Sequence, residues 1–320
     1  MKLLTEVSLS EYPFSLNHHS QVLMMGSCFT ENIGRLIERY LFPVCINPFG
    51  VIYNPLSVKR GLEALMRKKT YVTEDLDHYN GLWFSFDHYT GFSDADQAKT
   101  LEKINHAFLE AKAVLEKADI LILTWGTSWV YRYKHTGEVV CNCHKIPAKE
   151  FIRTRLTIRE IIAAYESLLP ELFDFNKHLK ILHTVSPVRH WKDGAHGNQL
   201  SKAALLLAGD ALQQKFPEQF FYFPSYEIVM DELRDYRFYA EDMLHTSDQA
   251  TRYIWEKFQG ALMEAKSREI IIEVESLRKM LEHRPLNKEG EAAQVRQILM
   301  QEKLEVAKKK HPDLDWEKLY

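Results

Sequence analysis

Apolar runs of strand length alternate with helical stretches through most of this chain, and that alternation restricts it to a largely parallel sheet flanked by helices. The runs lie near residues 21–25, 42–46, 118–123, 180–185 and 220–223. After the first, Ile33, Leu36, Ile37 and Tyr40 recur at three- and four-residue spacing, with Glu31, Arg35, Glu38 and Arg39 between them, the pattern of an amphipathic helix. Further helices are expected over 58–69, 97–117, 158–169 and 200–215, and a last core helix after Thr246. Residues 129–142 alternate around His135-Thr136-Gly137-Glu138 and read as a hairpin. The fold class is therefore α/β, a three-layer, flavodoxin-like sandwich with a mostly parallel central sheet.

Two stretches depart from this rhythm. Residues 71–96 carry Asn80-Gly81, Thr90-Gly91 and seven aromatic residues, an insertion that serves as a lid, a sugar-stacking platform or a small satellite core. From about Lys266 the composition turns to charged, helix-favouring residues interrupted by Pro285 and Gly290. The expected division is an α/β unit over 1–265 and a helical extension over 266–320.

Composition narrows the function classes. With 41 basic and 44 acidic residues the formal charge is −3, which argues against a nucleic-acid-binding surface as the main purpose. No run of about 18 apolar residues occurs, so no membrane span is expected. The first residues, with Lys2, Glu6 and Glu11 and no continuous apolar stretch, do not read as a secretory signal. Cys28, Cys45, Cys141 and Cys143 are too few in 320 residues for a disulfide framework, and a reducing cytoplasm is the expected location. Cys141-x-Cys143-His144 lacks a second spaced pair, so no metal is expected, and without Gly-x-Gly-x-x-Gly or a P-loop no cofactor is expected either.

In a parallel sheet, reactive groups gather where strands end and helices begin. Gly26-Ser27-Cys28 occupies such a point. A serine there either caps the helix or faces the crevice as a nucleophile, beside backbone N–H groups able to stabilise an oxyanion. A serine nucleophile needs a base, and the base an orienting acid. Asp242-Met243-Leu244-His245 precedes a helix start marked by the capping-box spacing of Thr246 and Gln249. One tight loop can present both side chains to one cleft, although a solvated aspartate and histidine would leave the same pattern.

Together these features resemble the SGNH/GDSL hydrolase superfamily and, more narrowly, the GSCFA-domain family. The resemblance is carried by Gly26-Ser27-Cys28-Phe29-Thr30, the segment from Asn47 to Pro55, Leu123-Thr124-Trp125-Gly126-Thr127, the segment from Asn142 to Pro147, Val185-Ser186-Pro187-Val188-Arg189-His190, and Asp242-Met243-Leu244-His245, in order over roughly residues 20–260. It implies an ester hydrolase or acyl transferase with Ser27 as nucleophile, His245 as base and Asp242 as its partner. Gly50 matches an oxyanion-hole glycine. The superfamily's third-block asparagine is missing from Gly126-Thr127-Ser128-Trp129. Thr127 or Asn142 is the candidate to replace it, a donor worth about 2.7–4 kcal/mol in the transition state.

Arg189 and His190 are candidates for binding an anionic or hydroxylated substrate, and His144 accompanies Asn142, in each case against a plain polar loop. Asn198 and Ser201 read as helix caps. Cys28 sits at a helix N-terminus, where thiols are activated, but the resemblance gives the role to Ser27. The expected substrate is a small-molecule, glycan or lipid acyl ester. The alternative is a non-catalytic binding or assembly protein on a hydrolase scaffold, motivated by the irregular third block and the charged C-terminal helices. Those helices could equally join two copies of the chain as a homodimer.

Overall fold

The computed structural model of the chain describes residues 5–282 and 291–319, and the side chains of 291–294 and 296 are not among what it describes. Lys2, Pro285 and Gly290 lie outside the described residues. In chain order, β1 (Val22–Gly26) leads into α1 (Cys28–Arg39), followed by β2 (Val44–Ile46) and α2 (Pro55–Arg67). The aromatic-rich stretch contains a hairpin, β3 (Asp77–Tyr79) and β4 (Leu82–Phe84), before α3 (Gln97–Leu115) and β5 (Ile120–Trp125). Next come β6 (Trp129–Tyr133), β7 (Val139–Val140), β8 (Phe151–Arg155), α4 (Ile158–Phe175), β9 (Lys180–Val185), α5 (Gly194–Lys215) and β10 (Phe220–Tyr222). Three helices close the chain: α6 (Asp248–Leu262), α7 (Ala265–Glu282) and α8 (Glu291–Lys310).

The central sheet is all parallel in the order β10-β9-β5-β1-β2. From β1 the chain steps to one side to form β2 and to the other to form β5. Such a reversal opens a crevice at the carboxyl ends of the two diverging strands. The expected hairpin over 129–142 is present as β6 and β7, and β8 adds a third antiparallel strand along β6.

Alternation along the strands sorts the core into two layers. Leu23, Met25, Leu121 and Leu123 face one cluster with Leu62 of α2, Phe108 of α3, Leu172 of α4 and Leu205 of α5. Val22, Met24, Ile120 and Ile122 face the other, with Ile33 and Ile37 of α1 and Ile254 and Phe258 of α6. Val274 of α7 and Leu304 of α8 belong to this second cluster, so the C-terminal helices share an apolar layer with the sheet. Tyr40 stacks on Trp255 at 5.7 Å, and Arg278 donates to the carbonyls of Arg39 (2.9 Å) and Leu319 (3.1 Å). No helix among the described residues is long and apolar enough to cross a membrane.

Gly26 ends β1 at φ +150°, and a Cβ there would lie 2.2 Å from the carbonyl oxygen of Thr124 on the paired strand. Gly26→Ala is therefore expected to destabilise the fold by about 3 kcal/mol, as overpacking and a disfavoured backbone add. A denaturant titration in which the variant keeps the wild-type midpoint would contradict this.

Burial pushes five imidazoles down: His18, His144 and His190 to about 4, His88 and His183 to about 3. The unfolded chain binds protons at these sites first, so their contribution is intact above about pH 6.5 and is lost as pH falls toward 4 and then 3. Within that window each ring costs about 1.4 kcal/mol per pH unit. The urea midpoint should drop steeply between pH 6.5 and 5, and a flat profile there would refute the linkage.

Candidate active site

Ser27 occupies the N-cap position of α1 with extended backbone (φ −72°, ψ 176°) and makes no side-chain capping bond. Its N–H donates to the Thr124 carbonyl at 3.2 Å. The residue is 1% exposed, and its hydroxyl is closed off from solvent without a hydrogen-bond partner. Cys28, the first helical residue, is more open. Burial pushes its thiol up; the Phe29 N–H opposes this, the Glu31 carboxylate adds to it, and the Lys202 ammonium is a smaller opposing influence.

The loops after β2 and β5 brace this junction. Asn47 accepts the Gly26 N–H on Oδ1 at 2.8 Å, and its Nδ2 has no acceptor. The Tyr53 carbonyl accepts the N–H groups of Gly126 (2.8 Å) and Thr127 (2.9 Å). Two of the expected oxyanion donors are occupied elsewhere. The Gly50 N–H closes a turn onto the Asn47 carbonyl at 2.7 Å. The Thr127 hydroxyl pairs with Ser201 Oγ at 3.0 Å and accepts the Trp129 N–H at 3.2 Å, so it faces α5.

A polar face of α5 holds the surrounding loops. Asn198, Ser201 and Lys202, at i, i+3 and i+4, share that face and are each 1% exposed. The helix starts at Gly194, six residues before the expected start at Leu200, so Asn198 and Ser201 are not caps. Asn198 Oδ1 accepts the His190 N–H (3.0 Å), and Ser201 Oγ accepts the Ser128 N–H (2.8 Å). Lys202 donates to the carbonyls of Gly126 and Ser186, both at 2.6 Å, joining the ends of β5 and β9. Burial pulls its ammonium down to about 7, with Cys28 opposing and Arg189 adding to the shift.

His190 and Ser27 meet over Gly126. The Nε2 of His190 and the Cβ of Ser27 lie 3.3 and 3.4 Å from the point that a Cβ on Gly126 would occupy, so Gly126 leaves room for both. The His190 ring meets Tyr53 edge-on at 5.5 Å. Arg189 has no carboxylate partner among the described residues; its guanidinium stands 5.7 Å from the Trp191 ring. The Arg189 N–H reaches the Leu244 carbonyl at 3.5 Å and so ties this loop to the one carrying Asp242.

On that second loop, Asp242 Oδ2 meets His245 Nδ1 at 2.5 Å. Asp242 Oδ1 accepts the N–H groups of Leu244 and His245, each at 2.9 Å, around Met243 in a left-handed conformation (φ 58°). The His245 N–H, then its imidazole, then the Leu244 N–H hold the Asp242 carboxyl down at about 2. Both side chains are roughly half exposed, and no hydrogen bond joins His245 to Ser27. Ser247, not Thr246, caps α6, its Oγ accepting the Ala250 N–H at 3.3 Å.

Asn142 and His144 form a polar turn in which Asn142 Oδ1 accepts the His144 N–H at 2.8 Å. His144 stacks on Phe84 at 4.1 Å and contacts the Ser85 carbonyl at 3.0 Å, which makes it part of a packed aromatic group. The stretch over 71–96 packs inward through Tyr71, Phe84 and His88, with Tyr71 and Leu76 joining the core layer of α2 and α3 rather than a separate satellite core, and Tyr89 stays partly exposed against Gly50. Lys202 and Tyr53 are the site residues that sequence reasoning missed. The available signal was the polar triad at helical spacing in α5.

The fold and cleft define a doubly wound α/β protein with a polar site at the strand-order reversal. The GSCFA family model matches residues 21–258, and the chain belongs to the GSCFA family. No curated protein matches it. A solved structure from Streptococcus pneumonia, provisionally named a platelet activating factor, is similar at 12% identity over 75% of this chain and 83% of that one, with a TM-score of 0.39.

Proposed function

We propose that the chain is an SGNH-type hydrolase or acyl transferase that cleaves an acyl ester, on a carbohydrate or lipid, through an acyl-enzyme formed at the β1–α1 junction. The observation that carries this reading is the Asp242–His245 pair: a carboxylate 2.5 Å from Nδ1 holds the tautomer that leaves Nε2 free to accept a proton. The amino end of α1 supplies a positive dipole end for developing charge. The sequence reading assigns the attack to Ser27, whose hydroxyl is enclosed in this conformation. Tyr53, Tyr89 and Trp191 are aromatic groups near the cleft suited to stacking on a sugar ring. Four free thiols fit a reducing compartment, and we place the protein in the cytoplasm.

A product-detected screen of acetylated glycans, lipid esters and p-nitrophenyl esters tests the function. Turnover that His245→Gln abolishes is the expected result. No turnover on any member, or turnover indifferent to His245→Gln, would overturn it.

A further inference from the structure

We propose that the His190 imidazole is the oxyanion donor of this site, its Nε2–H bonding the acyl oxygen as negative charge forms there. This rests on the acyl-ester reading above and adds a catalytic residue to it, with Ser27 kept as the attacking group. The Gly50 N–H and the Thr127 hydroxyl are committed to Asn47 and Ser201, so neither is left for an oxyanion. His190 is the side chain that the fold brings to the serine instead. Its Nε2 and the Ser27 Cβ approach one point over Gly126, at 3.3 and 3.4 Å, and that point is bare because residue 126 is glycine. Among the described residues neither ring nitrogen of His190 has a hydrogen-bond partner, and neither is sealed from solvent as Ser27 Oγ is.

Such a donor is effective when it is held in place before charge develops. Asn198 Oδ1 fixes the His190 N–H at 3.0 Å, and the His190 carbonyl accepts the Asp193 N–H at 3.2 Å. Asp193 is in turn paired with Arg153 of β8. The ring meets Tyr53 edge-on at 5.5 Å, and the Tyr53 carbonyl holds the Gly126 N–H at 2.8 Å, so one residue braces both sides of the bare point. No carboxylate meets His190 Nδ1 among the described residues, whereas His245 Nδ1 faces Asp242. The charged groups that act on the His190 ring are Lys202, Arg153 and His245, all of the sign that an oxyanion attracts. Burial first, and then those cations, pull the ring down to about 4. At neutral pH it is therefore an uncharged imidazole, poorly suited to keep a proton as a base and able to donate one N–H.

For attack, Ser27 turns its hydroxyl about the Cα–Cβ bond toward the bare face of Gly126. As Oγ bonds to the acyl carbon its proton passes to His245 Nε2, and the carbonyl electron pair moves onto oxygen. The His190 Nε2–H hydrogen-bonds that oxygen and keeps its own proton. Collapse returns the pair to the carbonyl and expels the alcohol, which takes the proton from the His245 imidazolium. Water then gives a proton to His245, adds to the acyl-serine and releases the acid, and Ser27 Oγ recovers the proton. The hydrogen bond from His190 is strongest when the oxygen is charged, so its loss falls on kcat rather than on substrate binding.

The full chain and its His190→Phe and His190→Gln variants are compared for turnover of p-nitrophenyl acetate and for inhibition by phenylboronic acid, which forms a tetrahedral anion on a serine. His190→Phe keeps an aromatic ring without a donor and should lose about 10²–10³-fold in kcat with little change in KM. Inhibition by the boronic acid should weaken by a similar factor. His190→Gln, whose amide nitrogen reaches the place of Nε2, should recover most of both losses, which a purely structural role for the ring would not allow. In the wild type, the histidine Nε2–H proton resonance that His190→Gln removes should move downfield when the boronic acid is added, a readout that needs no folded His190→Phe. Wild-type turnover in His190→Phe, equal losses in the two variants, or a resonance that does not move overturns this inference and leaves the hydrolase reading intact. If the wild type cleaves no ester of the panel above, the hydrolase reading fails and this inference falls with it.

Discussion

Asp242→Asn is expected to lower kcat for ester cleavage on the order of 10³–10⁴-fold with little change in thermal stability. The carboxylate accepts from Nδ1 of His245, so Nε2 is left as a proton acceptor. An amide would offer an N–H to Nδ1 and turn the imidazole into the other tautomer, with Nε2 carrying the hydrogen. The loop itself should survive, because an asparagine Oδ1 can still accept the two N–H groups that Asp242 Oδ1 accepts now. Both side chains are half exposed, which keeps the stability cost of the change small. Steady-state kinetics and a melting curve on the same preparation check it. An unchanged kcat with an intact fold would remove the dyad from the mechanism.

Lys202→Met should reduce kcat for the proposed ester cleavage about 10²-fold, with a smaller effect on KM, because it frees the two loops beside the β1–α1 junction. The ammonium is the shared donor to the carbonyls of Gly126 and Ser186. Without it each carbonyl is buried unsatisfied, at about 1–3 kcal/mol apiece, partly offset by relief from burying a charge. A pH signature separates this from general loosening. The folded lysine titrates near 7, well below its usual 10.5, so the unfolded chain binds the extra proton between those values and wild-type stability rises with pH across that window. Methionine cannot titrate, so the variant should lack that rise. Parallel urea midpoints for the two proteins from pH 7 to 10 would show that the lysine is not buried as a strained cation.

The parts of the fold legible in the sequence are those whose pattern survives burial. β1, β5 and β9 are continuous apolar runs, because helices cover both faces of the sheet. β8 was missed because Phe-Ile-Arg-Thr-Arg is largely exposed and stays extended by pairing with β6, a long-range contact with little local signal. The site divides similarly. The Asp242–His245 pair lies within one turn and follows from local spacing. Asn198 and Ser201 were misread because the first turn of α5 contains two glycines and little apolar periodicity, which set the apparent helix start too late. Lys202 was passed over because a lysine on a helix ordinarily points to water, and its spacing from Asn198 and Ser201 was the one local sign that it shares their buried face. The engaged state of the Gly50 N–H and the Thr127 hydroxyl depends on loop partners that no spacing reports.

The reversal of strand order has a consequence for biosynthesis. The β1–α1 junction leaves the ribosome among the first residues, yet β5, its neighbour in the sheet, is about a hundred residues later, and the histidine loop comes after every strand of the sheet has been made. A nascent chain stopped before Asp242 has every strand of the sheet but lacks Ile254 and Phe258 of α6, which pack on one of its faces. The loop of Asp242 and His245 and the helix that completes the second core layer are therefore added in one late stretch of synthesis, so closure of that layer and assembly of the proposed site coincide.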